Sequence, residues 1–238
     1  MRQRLIYLIK VYMLTVAIFI AAKLVFMLVN YEGHAFGIGD VVAVIIHGLS
    51  LDLSTSLYFL ILPFLITLVS LWCDDRRLHT ILRIYYGIIA TMMTFAFVAD
   101  TSLYPFWGFK LDASCLQYLE TPAEVRASVS GFYMAVRLIL LFLGSYALYR
   151  LYKAIPFWAK NPSRRRAATA TNILFIPLIV IGIRGGLDES TTNIGQVYFS
   201  QDQFLNHSAV NPIFSFLSSF EKTDSQLTTT DLKAIGTK

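Results

Sequence analysis

The chain has 238 residues, of which 56% are hydrophobic and only 15% are charged, and its formal net charge is +5. Its mean hydropathy of +0.59 lies well above the range of soluble domains, so the composition excludes an ordinary soluble protein. We therefore predict an all-α protein that crosses a membrane several times.

The first apolar run extends from Leu5 to Val29, directly behind the basic N-terminus MRQR. As a helix it would be roughly 37 Å long, which is enough to cross a hydrocarbon core of about 30 Å. A signal peptide is excluded because the run is too long and no small-x-small cleavage motif ends it. The run predicts an uncleaved first transmembrane helix.

The second apolar stretch, from Val41 to Trp72, is longer than one crossing requires and carries several polar residues in its first half. We predict two elements here. The first is a surface-lying or bent helix from Val41 to about Leu51, and the second is a span from about Leu53 to Trp72 that tolerates Pro63 with a kink.

Three further spans follow, which gives a five-helix transmembrane domain over residues 1–184. They extend from about Thr80 to Ala99, from Phe132 to about Tyr152 and from about Ala168 to Ile183. A loop over residues 100–131 joins the third span to the fourth.

Three charged residues lie within these spans or beside them. Lys23, near the end of the first span, either extends its ammonium to the membrane surface or pairs with an acidic group. Asp52 lies between the two elements of the second stretch, where it either caps a helix or is buried and paired with Lys23 or Arg137. Arg137 lies roughly two helical turns into the fourth span.

The loop over residues 100–131 combines aromatic rings with proline and glycine, a composition typical of the boundary between membrane and water. We expect the rings of Tyr104 and Trp107 to lie at headgroup depth. Asp112 is predicted to cap one short helix, and the residues from Thr121 to Glu124 match a capping box that would begin a second.

The charge distribution predicts the orientation. The N-terminus, residues 73–83 and residues 150–166 together carry eleven cations and two acids, whereas the segments on the opposite side carry six cations and twelve acids. Cytoplasmic loops retain Lys and Arg, so we predict a cytoplasmic N-terminus and an extracytoplasmic C-terminus. We interpret the Arg164–Arg166 cluster as a determinant of this topology that lies close to anionic lipid headgroups. No nucleic-acid binding is predicted for it.

Cysteine and histidine usage predicts neither a disulfide nor a metal site in this chain. Cys73 and Cys115 are the two cysteines, and the predicted topology places them on opposite faces of the membrane, too far apart to form a bond. The four histidines are scattered singly along the chain, without the spacing typical of metal ligands.

Residues 185–238 are more polar and are predicted to form an extracytoplasmic juxtamembrane segment and linker. Within them, Asn211 and Pro212 are typical of the N-cap and first residue of an amphipathic helix. Residues 206–208 match a glycosylation acceptor, but so short a pattern is weak evidence and we discount it.

Four stretches carry a resemblance to a known family. They are HGLSLDLS before the second span, DTSLYPFWGFKLD after the third, and RGG and FLNHSAVNP after the fifth. With the order of the spans, they resemble the membrane portion of the lipoteichoic acid synthase family, whose members are sulfatase-like proteins of the alkaline phosphatase superfamily. The resemblance covers essentially the whole chain and implies a place in the bacterial cytoplasmic membrane.

The resemblance implies an anchor that faces lipid, for an enzyme that transfers phosphoglycerol or phosphoethanolamine groups from membrane phospholipid. In that family an extracytoplasmic catalytic domain follows the fifth span and holds a threonine nucleophile and a divalent metal such as manganese. None of those catalytic residues maps onto this chain. We therefore expect the catalytic domain to be missing or separately encoded, and the chain alone to be inactive. A sulfate or phosphate ester hydrolase is the second possibility for the parent enzyme.

Two hypotheses concern sites. The first is that Asp100, Tyr104, Trp107 and Arg184 form a platform for a lipid headgroup, because Asp100 and Arg184 end spans on the same side; ordinary interfacial anchoring is the alternative. The second treats the chain as a freestanding small transporter or a subunit of a membrane complex, with the three intramembrane charged residues lining a polar path. No internal repeat favours such a transporter.

Overall fold

A computed structural model describes residues 2–73, 76–119, 130–157, 165–187 and 191–220, and every regular element within these ranges is helical. The α-helices are α1 (Arg2–Val29), α2 (Ile38–Val69), α3 (Arg76–Trp107), α4 (Gly131–Lys153), α5 (Arg165–Ile173), α6 (Phe175–Arg184), α7 (Gln203–Ala209) and α8 (residues 212–220). Two 3-10 helices, η1 (Ala113–Leu119) and η2 (Ile194–Val197), lie in the connections.

Four of these helices, α1 to α4, are long and apolar enough to cross a membrane. The predicted all-helical class and membrane-type composition of the chain are confirmed to this extent. Helix α4 follows the predicted fourth span closely: it begins behind Ser130, whose hydroxyl accepts a hydrogen bond from the Tyr133 amide at 3.2 Å.

The prediction of two elements in the second stretch is wrong, because α2 is one continuous helix from Ile38 to Val69. Its polar residues do not interrupt it, since the backbone stays helical and several of them bond to fixed partners. The Thr55 hydroxyl donates to the Leu51 carbonyl at 2.7 Å, and Asp52 pairs with a cation on α1. A polar interval in an apolar run thus marks a buried contact here rather than a helix end.

The predicted end of the third span at Ala99 is also wrong, because α3 continues to Trp107. Pro105 lies in its last turn, so any kink that it introduces falls at the end of the helix. Gly108, in a left-handed conformation with φ of 68°, then ends the helix. Tyr104 and Trp107 consequently lie on the helix and not in a loop.

The predicted helix behind Asp112 is present as η1, and Asp112 accepts a hydrogen bond from the Ser114 amide at 2.9 Å. The capping box from Thr121 to Glu124 lies outside the described residues. The region of the fifth predicted span holds two consecutive helices, α5 and α6, which are separated by Leu174 alone. The backbone of Leu174 is itself in the right-handed helical region, with φ of −63° and ψ of −19°.

Contacts between α1 and α2 mark two levels in the bundle. Near the N-terminus, Arg4 donates to the Ser70 hydroxyl at 3.1 Å and to its carbonyl at 2.9 Å. At the other level, Lys23 pairs with Asp52 at 2.6 Å. Both helices rise by roughly 27–29 Å between the two levels, which is close to a hydrocarbon thickness of about 30 Å. We call the end that holds Lys23 and Asp52 the distal end.

Residues 194–220 pack onto the distal end. Phe204, Leu205, Val210 and other side chains of this segment form one apolar cluster with Phe26 of α1 and Val44 of α2. Asn211 caps α8 as predicted, because its side-chain oxygen accepts from the amides of Ile213 at 3.0 Å and Phe214 at 3.2 Å. This part of the predicted juxtamembrane segment is therefore a folded cap on the helices.

Candidate functional site

A buried ion pair joins α1 to α2 at the distal end. The Lys23 ammonium lies 2.6 Å from Asp52 Oδ2 and donates to the Gly48 carbonyl at 2.8 Å. The other carboxylate oxygen of Asp52 accepts from Asn211 Nδ2 at 2.9 Å. Lys23 is only 2% exposed and Asp52 is not exposed at all. Of the alternatives that the sequence left open for these residues, the structure shows the buried pair.

Gly48 is required at this contact by close packing. A Cβ atom at this position would lie 2.2 Å from the Lys23 ammonium and 2.2 Å from the Ala209 carbonyl. The missing side chain therefore lets Lys23 reach the α2 backbone and lets α7 approach α2 directly.

A second buried ion pair, between Asp100 and Lys110, connects α3 to the segment that follows it. The remaining oxygen of Asp100 accepts from the Leu111 amide at 3.0 Å. The Lys110 ammonium also lies 3.7 Å from the centre of the Phe26 ring on α1, which is a favourable cation–π geometry. Burial lowers the pKa of Lys110, although the Asp100 carboxylate acts in the opposite direction.

A third polar contact joins α3 to the cap. The Tyr104 hydroxyl lies 3.1 Å from His207 Nδ1, and His207 Nε2 lies 3.4 Å from the side-chain nitrogen of Gln203. The Tyr104 ring meets the Phe26 ring edge to face, with 4.8 Å between their centres. We refer to the residues of these three contacts as the distal polar cluster: Lys23, Asp52, Asn211, Asp100, Lys110, Tyr104 and His207.

His207 should make the cap sensitive to acid. Burial lowers the pKa of His207 below its ordinary value, the Lys110 charge lowers it further, and Asp100 acts in the opposite direction. The unfolded cap therefore binds the proton more readily than the folded cap. The His207 contribution is complete above about pH 6.5 and is lost as the pH falls through the folded-state pKa.

We expect the free energy of unfolding, measured by denaturant titration in micelles, to fall between neutral and mildly acidic pH. His207→Gln should flatten this dependence. An unaltered pH dependence in His207→Gln would contradict the assignment.

The structure brings together only part of the predicted headgroup platform. Asp100 and Tyr104 lie in the interior, 2% and 9% exposed, and not at a surface that faces water. Trp107 is half-buried and stacks on Phe109 with 5.3 Å between ring centres. Arg184 lies at the exposed end of α6, which packs on the α2 side of the bundle. The headgroup role of these residues stays a prediction.

Arg137, the third predicted intramembrane charge, does not join the Lys23–Asp52 pair. Its guanidinium donates to the Tyr133 hydroxyl at 3.1 Å and lies 4.7 Å from the centre of that ring. It lines a groove between α1, α3 and α4 with a volume of about 470 Å³. The groove is mostly apolar, and its charged lining residues are Lys23, Asp100, Lys110 and Arg137.

Lys110 also lines a second cavity, of about 370 Å³. This cavity is rich in hydroxyl groups and includes Ser215, Ser218, Ser219 and Tyr198. An apolar groove and a hydroxyl-rich cavity thus meet at one buried lysine. This arrangement matches the two chemical halves of a lipid, an acyl chain and a polar headgroup.

Sequence reasoning missed the roles of Lys110 and His207. The one local signal for Lys110 is its position two residues beyond Gly108, whose left-handed turn directs the chain back toward Asp100. Asn206, in the discounted glycosylation motif, is buried, and its amide bonds the Phe199 and Ser200 backbones at 2.7 to 2.9 Å. Over the described ranges, no group of three or more His, Cys, Asp or Glu side chains is placed to hold a metal ion.

Comparison with models of known families, with curated proteins and with solved structures finds no match to this chain.

Proposed function

We propose that this chain is the membrane-anchoring, lipid-facing portion of an enzyme similar to lipoteichoic acid synthase, which transfers phosphoglycerol or phosphoethanolamine groups from phospholipid. The catalytic chemistry belongs, in this proposal, to an extracytoplasmic domain that holds a divalent metal such as manganese. The chain itself supplies the anchor and the contact with lipid.

One observation carries the proposal: three of the four stretches that resemble this family meet in the distal polar cluster. HGLSLDLS contributes Asp52 and the Gly48 carbonyl to which Lys23 donates, DTSLYPFWGFKLD contributes Asp100, Tyr104 and Lys110, and FLNHSAVNP contributes His207 and Asn211. The fourth, RGG, directly follows Ile183, whose carbonyl accepts from Ser54 of α2 at 2.6 Å. Stretches so distant in sequence converge because they build one site.

Five crossings are part of the proposal, with α5 and α6 together as the fifth. Near the N-terminal end, Trp72 Nε1 donates to the Thr169 hydroxyl of α5 at 3.1 Å. Near the distal end, Ser54 of α2 contacts Ile183 of α6. The pair therefore follows α2 in the antiparallel direction over most of its length. The cap then lies on the side of the membrane opposite the N-terminus. The charge distribution assigns that side to the outside.

The cap gives this anchor a way to position a following domain. Residues 194–220 are fixed on α1, α2 and α3 through buried apolar contacts. A domain attached behind them would be held close to the groove and the hydroxyl-rich cavity. The apolar groove favours a lipid substrate over a soluble sulfate or phosphate ester, which would need no such surface.

The buried pair of Lys23 and Asp52 is the observation that favours a transporter. Both side chains, however, are bonded to fixed partners, Gly48 and Asn211. Such a contact stabilises one arrangement of the helices and does not supply a pathway. We therefore prefer the anchor.

The test is release of diacylglycerol, the product left when a phospholipid loses its phosphorylated headgroup. The longest gene product that contains this chain would be purified from membranes, together with any separately encoded catalytic domain that binds it, and incubated with Mn²⁺ and phospholipids that carry glycerol or ethanolamine headgroups. We expect diacylglycerol from that product and none from residues 1–238 alone. Diacylglycerol from residues 1–238 alone, or a soluble sulfate ester as the preferred substrate, would contradict the proposal.

A further inference from the structure

The groove between α1, α3 and α4 has the dimensions of an acyl-chain site. Along α1 its lining extends from Val29 to Leu14, a distance of roughly 22 Å along the helix axis. The α1 wall is formed in part by small side chains, Ala17, Ala21 and Ala22, which leave space between the helices. A single extended hydrocarbon chain fits such a space better than the side of another helix, which is about 10 Å wide.

Arg137 gives the groove a positive charge without a counter-charge in the described structure. Within the described ranges no carboxylate lies within 4 Å of its guanidinium, and its Nε atom is buried without a hydrogen-bond partner. Lys23 and Lys110, the other two cations of the lining, already have Asp52 and Asp100 as partners. A half-buried guanidinium without a counter-charge is costly unless an anion binds it.

We propose that the groove binds an anionic phospholipid, whose phosphate accepts hydrogen bonds from Arg137 and whose acyl chain lies along Ala17 and Ala21. Arginine suits this role because its planar group of donors matches phosphate oxygens. The proposal commits to a phospholipid because it joins one anionic group to one long apolar chain, as the lining does. It rests on the membrane placement in the proposed function, but not on the transfer reaction.

The chain offers a matched control for Arg137 on the same helix. Arg150 donates to the Tyr146 hydroxyl at 2.8 Å, and its guanidinium lies 5.7 Å from the centre of that ring. This repeats the contact between Arg137 and Tyr133, four residues apart, but Arg150 does not line the groove. A difference between the two variants would therefore report the groove and not the loss of an arginine.

The experiment measures phospholipid retained by the purified 238-residue chain. The protein would be extracted in mild detergent, washed, and analysed by native mass spectrometry after exchange with vesicles of equal phosphatidylglycerol and phosphatidylcholine content. We expect wild type to retain phosphatidylglycerol preferentially. Arg137→Gln should weaken that retention by about tenfold, as expected for one charge-assisted contact, and Arg150→Gln should not change it.

A second pair of variants tests the apolar part of the site. Ala21→Phe fills the groove and should reduce retention of both phospholipids, whereas Ala135→Phe, at an exposed position that does not line the groove, should not. Thermal unfolding of each variant shows whether it is folded. Equal retention of the two phospholipids by wild type, equal effects of the two arginine variants, or a groove occupied by a second copy of the chain would overturn the proposal.

Discussion

Removing either partner of the Lys23–Asp52 pair should destabilise the fold by about 3–5 kcal/mol, because the other charge is then left buried without its counter-charge. Lys23→Met keeps the length of the side chain, and Asp52→Asn keeps its shape and the hydrogen bond from Asn211. Each change therefore removes a charge with little change in packing. The free energy of unfolding, measured by denaturant titration in micelles, should fall in both variants.

The double variant separates the pair from other causes of instability. With both charges removed no unpaired ion remains, so Lys23→Met combined with Asp52→Asn should be more stable than either single variant. Lys10→Met is the matched control, because Lys10 lies on the same helix but is exposed, and it should have little effect. Additive losses in the double variant would show that the two charges do not act as a pair.

Sequence reasoning predicted the elements whose signal is local. Helix α4 extends from Gly131 to Lys153, close to its prediction, because a capping serine marks its start and Arg137 is the one charge between Gly131 and Tyr149. The N-caps at Asp112 and Asn211 were likewise predictable, since a capping side chain bonds to amides only two or three residues away.

Prediction from the sequence failed where a polar side chain bonds to a residue that is distant in the chain. The break predicted within α2 depended on Asp52, whose amide partner Asn211 lies 159 residues away in sequence. Once such partners are present, a carboxylate can lie inside a continuous helix, and periodicity alone does not reveal them. The extension of α3 past Ala99 has a similar cause, because Asp100 and Tyr104 find buried partners on other segments.

The candidate site was predictable only in part for the same reason. Lys23, Asp52 and Asp100 stand out because charges are rare in apolar runs, and the possible pairing of Lys23 with Asp52 follows from that rarity. The choice of Lys110 and His207 as partners depends on the turn at Gly108 and on the folding of the cap, neither of which has a strong sequence signal.

The largest expected effect concerns the labelling of cysteine thiols from outside the cell, because each thiol should react either fully or not at all. Three crossings lie between Cys73 and Gln201 if α5 and α6 cross as one span, so the two positions should be on opposite sides of the membrane. Gln201→Cys provides an exposed thiol beside the cap helices, and Cys73 is exposed near the N-terminal end. Cys115 is a poorer reporter because burial and the nearby Asp112 raise its pKa, and the thiol form reacts slowly.

The measurement is therefore the labelling of Gln201→Cys and Cys73 by a membrane-impermeant maleimide in cells that express the chain, before and after permeabilisation. A lipid-facing anchor with its cap outside requires the Gln201→Cys thiol to react in intact cells and Cys73 to react only after permeabilisation. Two results would contradict five crossings with the distal polar cluster outside. One is labelling of Cys73 in intact cells, and the other is a Gln201→Cys thiol that, like Cys73, reacts only after permeabilisation.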